Sequence, residues 1–356
     1  MRSLLAVALL AALMTPLRAD DPTSSLKSGT PDIKAASVLA FGPPGILFIG
    51  DAPGGAVFAV ETGEKTSPGT MGPIKVEGID AKIAGLLGTS ADQILINDIK
   101  VSPYTGTAFV AVARGKGPTA PPAVFTVTPA GKITEVPMTN IRFAKAAIPN
   151  LANETRRATE AITDMMYHDG KVYVAALASE QFASQFRVMP FPFGTAGDGT
   201  TVEIFHASHG RLETNAPIRT FTVFSENGQA HLLAAYTCTP LVKIPVSDLK
   251  PGAKIKGTTL AELGNRNRPL DMIVYEKDGK PFVLMANNAR GVMKIDLSQA
   301  GTAEGLSQKV SGTAGLPYET INNLKEVVQL TRLDKNHALI LQKTASGLNI
   351  DTIELP

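Results

Sequence analysis

Three aspartates recur at equivalent places beside apolar runs: Asp98 in INDIKVSP, Asp164 in ITDMMYHDG and Asp271 in PLDMIVYEKDG. Carboxylates placed this way have two uses. Each can accept backbone N–H bonds and anchor its own turn. Gathered around one axis, they would instead repel one another until a cation or ligand donors neutralised them. Aspartate and asparagine oxygens are ligands of the kind Ca²⁺ takes, so a cation is one candidate for that neutralising role. A second polar set is Asp51, Arg114, Glu180, Arg290, Lys343 and Arg268. Arginine grips a carboxylate or phosphate bidentately, so this mixed-sign set suits a small polar molecule or a protein partner.

The elements that must position these residues come from a repeat. In SVLAFGPPGILFIGDAPGGAVFAVE, apolar runs alternate at period two and are separated by turn residues, which reads as three antiparallel strands. Similar middle strands recur as TAFVAVARG, KVYVAALASE, AHLLAAYTCTP, KPFVLMANNARG and HALILQKTASG. Turns such as Asp169-Gly170, Asn227-Gly228 and Asp278-Gly279 precede them, a strong hairpin signal because both positions need positive φ. Six copies, with four strand slots each, predict an all-β six-bladed β-propeller of four-stranded antiparallel blades. A β-sandwich explains the hairpins but not their sixfold recurrence.

Outer strands are expected at GPIKVEGI, GKITEVPM, TTVEIFHA, GTTLAELG and GLSQKVSG. The sixth unit has none of its own. Residues 24–33 are therefore expected to complete the last blade, an N-terminal strand closing the ring and removing an open edge. Two insertions interrupt the repeat. IDAKIAGLLGTSADQ predicts a short helix; the second insertion, Ile141 to Asp164, predicts a helix capped by Asn153 and running through Glu160, and its stretch from Ile141 to Ala161 predicts a cover. In a propeller, the inner-strand starts and the loops after the middle strands share one rim. That rim is where side chains from every blade converge, and where the polar residues above are expected.

MRSLLAVALLAALMTPLRA carries an early arginine and an apolar run too short to span a bilayer. It reads as a signal peptide over residues 1–19, leaving a single propeller domain over 20–356. Removing it takes Arg2 and Arg18 and leaves 32 basic against 32 acidic residues. That balance points away from nucleic acid, which needs a concentrated basic surface. No later stretch is apolar and long enough to cross a membrane. Cys238 is the only cysteine, which rules out an internal disulfide and suits a periplasmic or secreted location with a lean to the periplasm. His206 and His209 in FHASHG, three apart, face opposite sides of a continuing strand and converge only across a turn. They are expected to be exposed outer-strand residues.

The phrases LAFGPPGILFIGD, DIKVSPYTGTAFVAV and DMIVYEKDGKPFVLMANN make nearly the whole mature chain resemble exported propellers of the NHL-repeat and gluconolactonase-like kind. These are blade motifs and speak for fold more than activity. Gluconolactonase-like enzymes hold a divalent cation, typically calcium, in the channel through Glu, Asn and Asp. The resemblance implies that Asp98, Asp164, Asp271 and Asn287 would take that part. The first blade departs from the pattern, with Ser37 where such an enzyme has its Glu, and the chain has no tryptophan. Two functions follow as expectations. One is an exported propeller binding a small polar ligand or a protein partner at the channel rim. The other is a calcium-dependent lactone or ester hydrolase, in which the cation polarises the carbonyl.

Overall fold

The computed structural model describes residues 21–64, 71–117, 119–152, 158–194, 196–238 and 240–356. Residues 1–20, with the stretch expected to be a signal peptide, lie outside them, as do residues 153–157 with Asn153, Arg156 and Arg157.

The six repeats form six sheets whose strands pair antiparallel, apart from Lys254–Lys256, which lies parallel to Thr201–Glu203 at the edge of one of them. Their inner strands are Val38–Phe41, Ile94–Val101, Ile162–His168, Ile218–Glu226, Pro269–Lys277 and Val327–Arg332. We number the blades one to six in that chain order. Each inner strand pairs with its middle strand, which pairs with a third, as the hairpin signals require. The middle strands are unbroken apolar runs because both faces of a blade are covered by its neighbours. In Ile46–Asp51 every residue is buried, and only the Cβ-free Gly50 fits against Val38 and Ile162. Polar positions return on the strands to either side, at the channel and toward the outer edge.

Order around the ring differs from order along the chain. The inner strand of blade one packs between those of blades two and three, and the inner strand of blade six packs against that of blade two. The ring therefore reads two, one, three, four, five, six. The connections show how the chain manages this. After the third strand of blade one, Ala56–Glu61, the chain crosses to blade six, where Lys75–Val76 pairs with Ile350 and Asp351. A helix, Ile79–Leu86, then leads into blade two, as the sequence predicts. After blade two the chain returns, and Ile141–Ala147 pairs with Ala56–Val60 as the outer strand of blade one.

Four expectations about edges are corrected by this pairing. The N-terminal segment does not complete the last blade: Lys27–Gly29 pairs with Ile141–Phe143, outermost on blade one. The closing strand is Lys75–Val76, from the stretch expected to serve blade one, held also by Ile74 N–H to Thr352 Oγ1 at 2.8 Å and Gly78 N–H to Asn349 Oδ1 at 2.9 Å. Residues 141–147, expected to begin a cover, are a blade strand, and the GLSQKVSG stretch supplies no outer strand for blade five. Tyr318–Thr320 does so, while Thr313–Gly315 extends blade four. The reason is common to all four. An outer strand is short, half-exposed and weakly patterned, so backbone pairing rather than side-chain burial decides its place.

Candidate functional site: the mouth of the channel

In five of the six inner strands the pairing slips by one residue at the same height, at Asn97, Thr163, Arg219, Leu270 and Val328. A bulge leaves the extra residue unpaired and re-aims it. All five line a cavity of about 380 Å³ at one mouth of the channel, together with Ser37 of blade one, the only blade without the slip. That volume is near the lower end of the roughly 300–1,000 Å³ of small-molecule sites.

The residue after the bulge points into the throat below. In blades two, three and five it is Asp98, Asp164 and Asp271, each no more than 7% exposed. Their bonding is the same three times over. Oδ1 accepts the next residue's N–H, from Ile99 at 2.8 Å, Met165 at 2.8 Å and Met272 at 2.9 Å. Oδ2 accepts an N–H from the neighbouring blade, from Leu39 at 2.7 Å, Phe221 at 2.9 Å and Leu330 at 3.2 Å. The three carboxylates stand on alternate blades, and each stitches its blade to the next one around.

Between them stands Lys100, two residues after Asp98 and so on the same face of that strand. Its Nζ lies 3.3 Å from Asp98 Oδ1 and 3.5 Å from Asp271 Oδ2. The throat at this level has only about 40 Å³ of free space. Burial raises the pKa of all three aspartates, and Lys100 works against that rise; Asp271 is pushed up to about 7. For Lys100 the burial that would lower its pKa is outweighed by Asp271, Asp98 and Asp164, so it stays an ammonium. Below the throat the channel reopens to about 330 Å³ lined by Met165, Met166, Phe221 and Ile273. The channel is thus two pockets with a charged plug between them.

The mouth carries two arginines. Arg219 projects from the bulge of blade four and pairs with Glu160 at 3.1 Å. Its pKa is pushed down to about 10 by burial and by the charge of Arg268, with Glu160 acting the other way. Its Nε is buried with no hydrogen-bond partner among the described residues. Arg268 is held at the mouth by its backbone, whose N–H bonds Asn288 Oδ1 at 2.6 Å and whose carbonyl accepts Asn288 N–H at 3.1 Å.

Of the residues singled out in the sequence, the structure brings Asp98, Asp164 and Asp271 together in the throat and Arg268 to the mouth. Asn287 stands apart from the three carboxylates. It accepts Ala289 and Arg290 N–H bonds at 3.0 and 3.1 Å and donates to Asn267 Oδ1 at 2.8 Å, tying two loops together. Asp51 is buried and accepts the N–H groups of Lys34, Ala35 and Gly54 at 2.8 to 3.0 Å. Arg114 pairs with Glu135 on the outer strand of its own blade, and Arg290 Nη2 donates to Asn265 O at 3.3 Å. Glu180 and Lys343 are exposed and do not line the mouth. Sequence reasoning missed Arg219 and Lys100. Both had a signal: Arg219 precedes Thr220 as Asn97 precedes Asp98, and Lys100 is the only charge two residues after any of those positions.

No protein-family model matches the chain, and no curated protein matches it in sequence. Among solved structures it is similar to a streptogramin B lyase, at 9% identity and TM-score 0.37 over 93% of this chain and 97% of that one. It is similar also to a putative oxidoreductase (glucose dehydrogenase) from Thermus thermophilus, at 12% identity and TM-score 0.37 over 92% and 100%. A thermostable family-43 glycoside hydrolase gives 8% identity and TM-score 0.41 over 74% and 90%. At these values the likeness says nothing about the site, and the blade count rests on the strand pairing itself.

Proposed function

We propose that this propeller, exported by its N-terminal segment, binds a small polar anion at the channel mouth. The observation that carries this is Arg219, a buried guanidinium facing a second arginine, with Glu160 as its ion-pair partner and a donor left over. Such a group is stabilised by an incoming carboxylate, which Arg219 and Arg268 would share. Asn97, Thr163, Ser37 and Gln329 around the same cavity supply amide and hydroxyl groups that suit a hydroxylated ligand. The plug beneath bounds the depth such a molecule reaches.

The test is calorimetry with a panel of short hydroxy-acid anions, each beside its uncharged amide. Binding of acids but not amides, weakened at least tenfold by Arg219→Ala, supports the reading. Equal binding of acid and amide, or indifference to Arg219→Ala, overturns it.

The calcium-dependent lactone or ester hydrolase is the second reading, favoured by the convergence of three aspartates. Against it, every one of these carboxylates already accepts two backbone N–H bonds, and a lysine ammonium stands among them. This donor set does not fit Ca²⁺, which takes six to eight oxygens. In our reading Lys100 is the counter-ion that the clustered carboxylates require, and no reaction step runs through a metal in the throat.

A further inference from the structure

Far from the channel, at the outer edge where blades three and four meet, a tight turn does what a continuing strand would not. The outer strand Thr200–His206 ends at His206, and the chain folds straight back into Arg211–Glu213, which pairs with Ile204–His206. Within the turn His206 O accepts the N–H groups of His209 at 3.1 Å and Gly210 at 2.8 Å. Gly210 has φ of +68°, and a Cβ there would fall 2.8 Å from the Lys309 side chain. This fold brings His206, His209 and Glu213 to one point; His209 is exposed, as expected of it, whereas His206, expected to be exposed, is 1% exposed.

The three side chains present their ligand atoms to one another. Glu213 Oε2 lies 3.0 Å from His206 Nδ1, and Glu213 Oε1 lies 2.8 Å from His209 Nδ1. All three ligand atoms fall within 4.8 Å of each other. A tetrahedral Zn²⁺ with bonds of about 2.0–2.1 Å holds its ligand atoms about 3.3 Å apart, so a small opening of these hydrogen bonds admits the ion. We propose that His206, His209 and Glu213 form a binding site for a first-row divalent cation of the zinc type, with a fourth position open toward solvent beside His209. Two imidazoles and a carboxylate suit zinc better than calcium or magnesium, which prefer all-oxygen sets.

A second observation points the same way. His206 Nε2 and Glu262 Oε1, from the outer strand of blade four, are both buried, both without a hydrogen-bond partner among the described residues, and 4.0 Å apart. With Nδ1 carrying the ring proton toward Glu213, Nε2 presents a lone pair to Glu262 Oε1, and neither of these two atoms is satisfied. A metal on Nδ1 moves the proton to Nε2, which then donates to Glu262. Metal-bound histidines characteristically donate their other ring nitrogen to a carboxylate in this way. Ser208 N–H already holds Glu262 Oε2 at 3.3 Å. Arg211, which bonds Glu213 Oε1 at 2.7 Å, is 71% exposed and has room to swing aside.

The test uses the tag-free full chain, stripped of metal and titrated with Co²⁺ and then Zn²⁺. One equivalent of Co²⁺ should give the visible absorption of a tetrahedral nitrogen–oxygen site, and Zn²⁺ should displace it and raise the Tm. His209→Ala and Glu213→Gln should each abolish both signals, and Glu262→Gln should weaken affinity by about 10–100-fold. His209 is half-exposed, so its alanine variant should keep the Tm of the metal-free protein. An absent band and an unmoved Tm, or responses that persist in His209→Ala and Glu213→Gln, would overturn the site.

Discussion

Asp271 Oδ2 and Lys100 Nζ stand 3.5 Å apart across the throat of the channel, although 171 residues separate them in the chain. The lysine comes from blade two, the aspartate from blade five, and Asp98 and Asp164 complete the group. Three acids that would otherwise repel are held around one base. The arrangement closes the channel midway and ties alternate blades to their neighbours.

Lys100 is the first point of test. Lys100→Met keeps the length and apolar stem of the side chain and removes the charge, leaving buried carboxylates uncompensated. Breaking a buried pair in this way costs about 3–5 kcal/mol. Chemical denaturation should show that loss at pH 8 and a smaller one at pH 5, where the carboxylates take up protons. An equal loss at both pH values would mean that Lys100 is not their counter-charge.

Asp271 sets a pH dependence whose sign follows from its environment. Burial is the main cause of its rise to about 7, opposed by Lys100 and reinforced by Asp98 and Asp164. A carboxyl group whose folded pKa is raised favours the folded state below its ordinary value of 3.8, and loses that contribution as pH climbs through 7. Asp98 and Asp164 shift in the same direction. Wild type should therefore lose stability relative to Asp271→Asn between pH 4 and pH 7. A stability difference that stays constant over that window would contradict the assignment.

Calcium separates the two functional readings. In His209→Ala protein, which removes the outer-edge histidine cluster from the experiment, neither calcium nor EGTA should move the Tm. A Tm lowered by EGTA and restored by calcium, with the response blunted in Asp164→Asn and Asp271→Asn, would bring the hydrolase back.

Ring closure makes a fourth prediction. Val76 is buried and pairs with Ile350 on the last blade. Val76→Asp places a charge in that seam and should cost about 3 kcal/mol, with faster amide exchange at Asp351. Deleting residues 21–29 instead strips the outermost strand from blade one and should leave exchange in blade six unchanged. The opposite pattern would restore the N-terminal strand as the closing element.

The sequence by itself determined the blades. Hairpin turns at Asp169-Gly170, Asn227-Gly228 and Asp278-Gly279, and the apolar middle strands after them, are local signals: positive φ at the turn and burial on both faces leave few alternatives. The three aspartates and Arg268 were legible for the same reason, since they recur in or beside the repeat. What the tertiary structure alone decided is the order of the blades. Along the chain the aspartates fall in blades two, three and five, which has no symmetry. Because blade one is seated between two and three, the same residues alternate around the ring and converge on Lys100. Outer strands followed the same logic. Lys75–Val76 and Ile141–Ala147 join distant blades through backbone hydrogen bonds, and such bonds carry no side-chain pattern for a sequence to display. The meeting of His206, His209 and Glu213 likewise depended on a turn whose sharpness is set by Gly210 against Lys309, a contact between segments about a hundred residues apart.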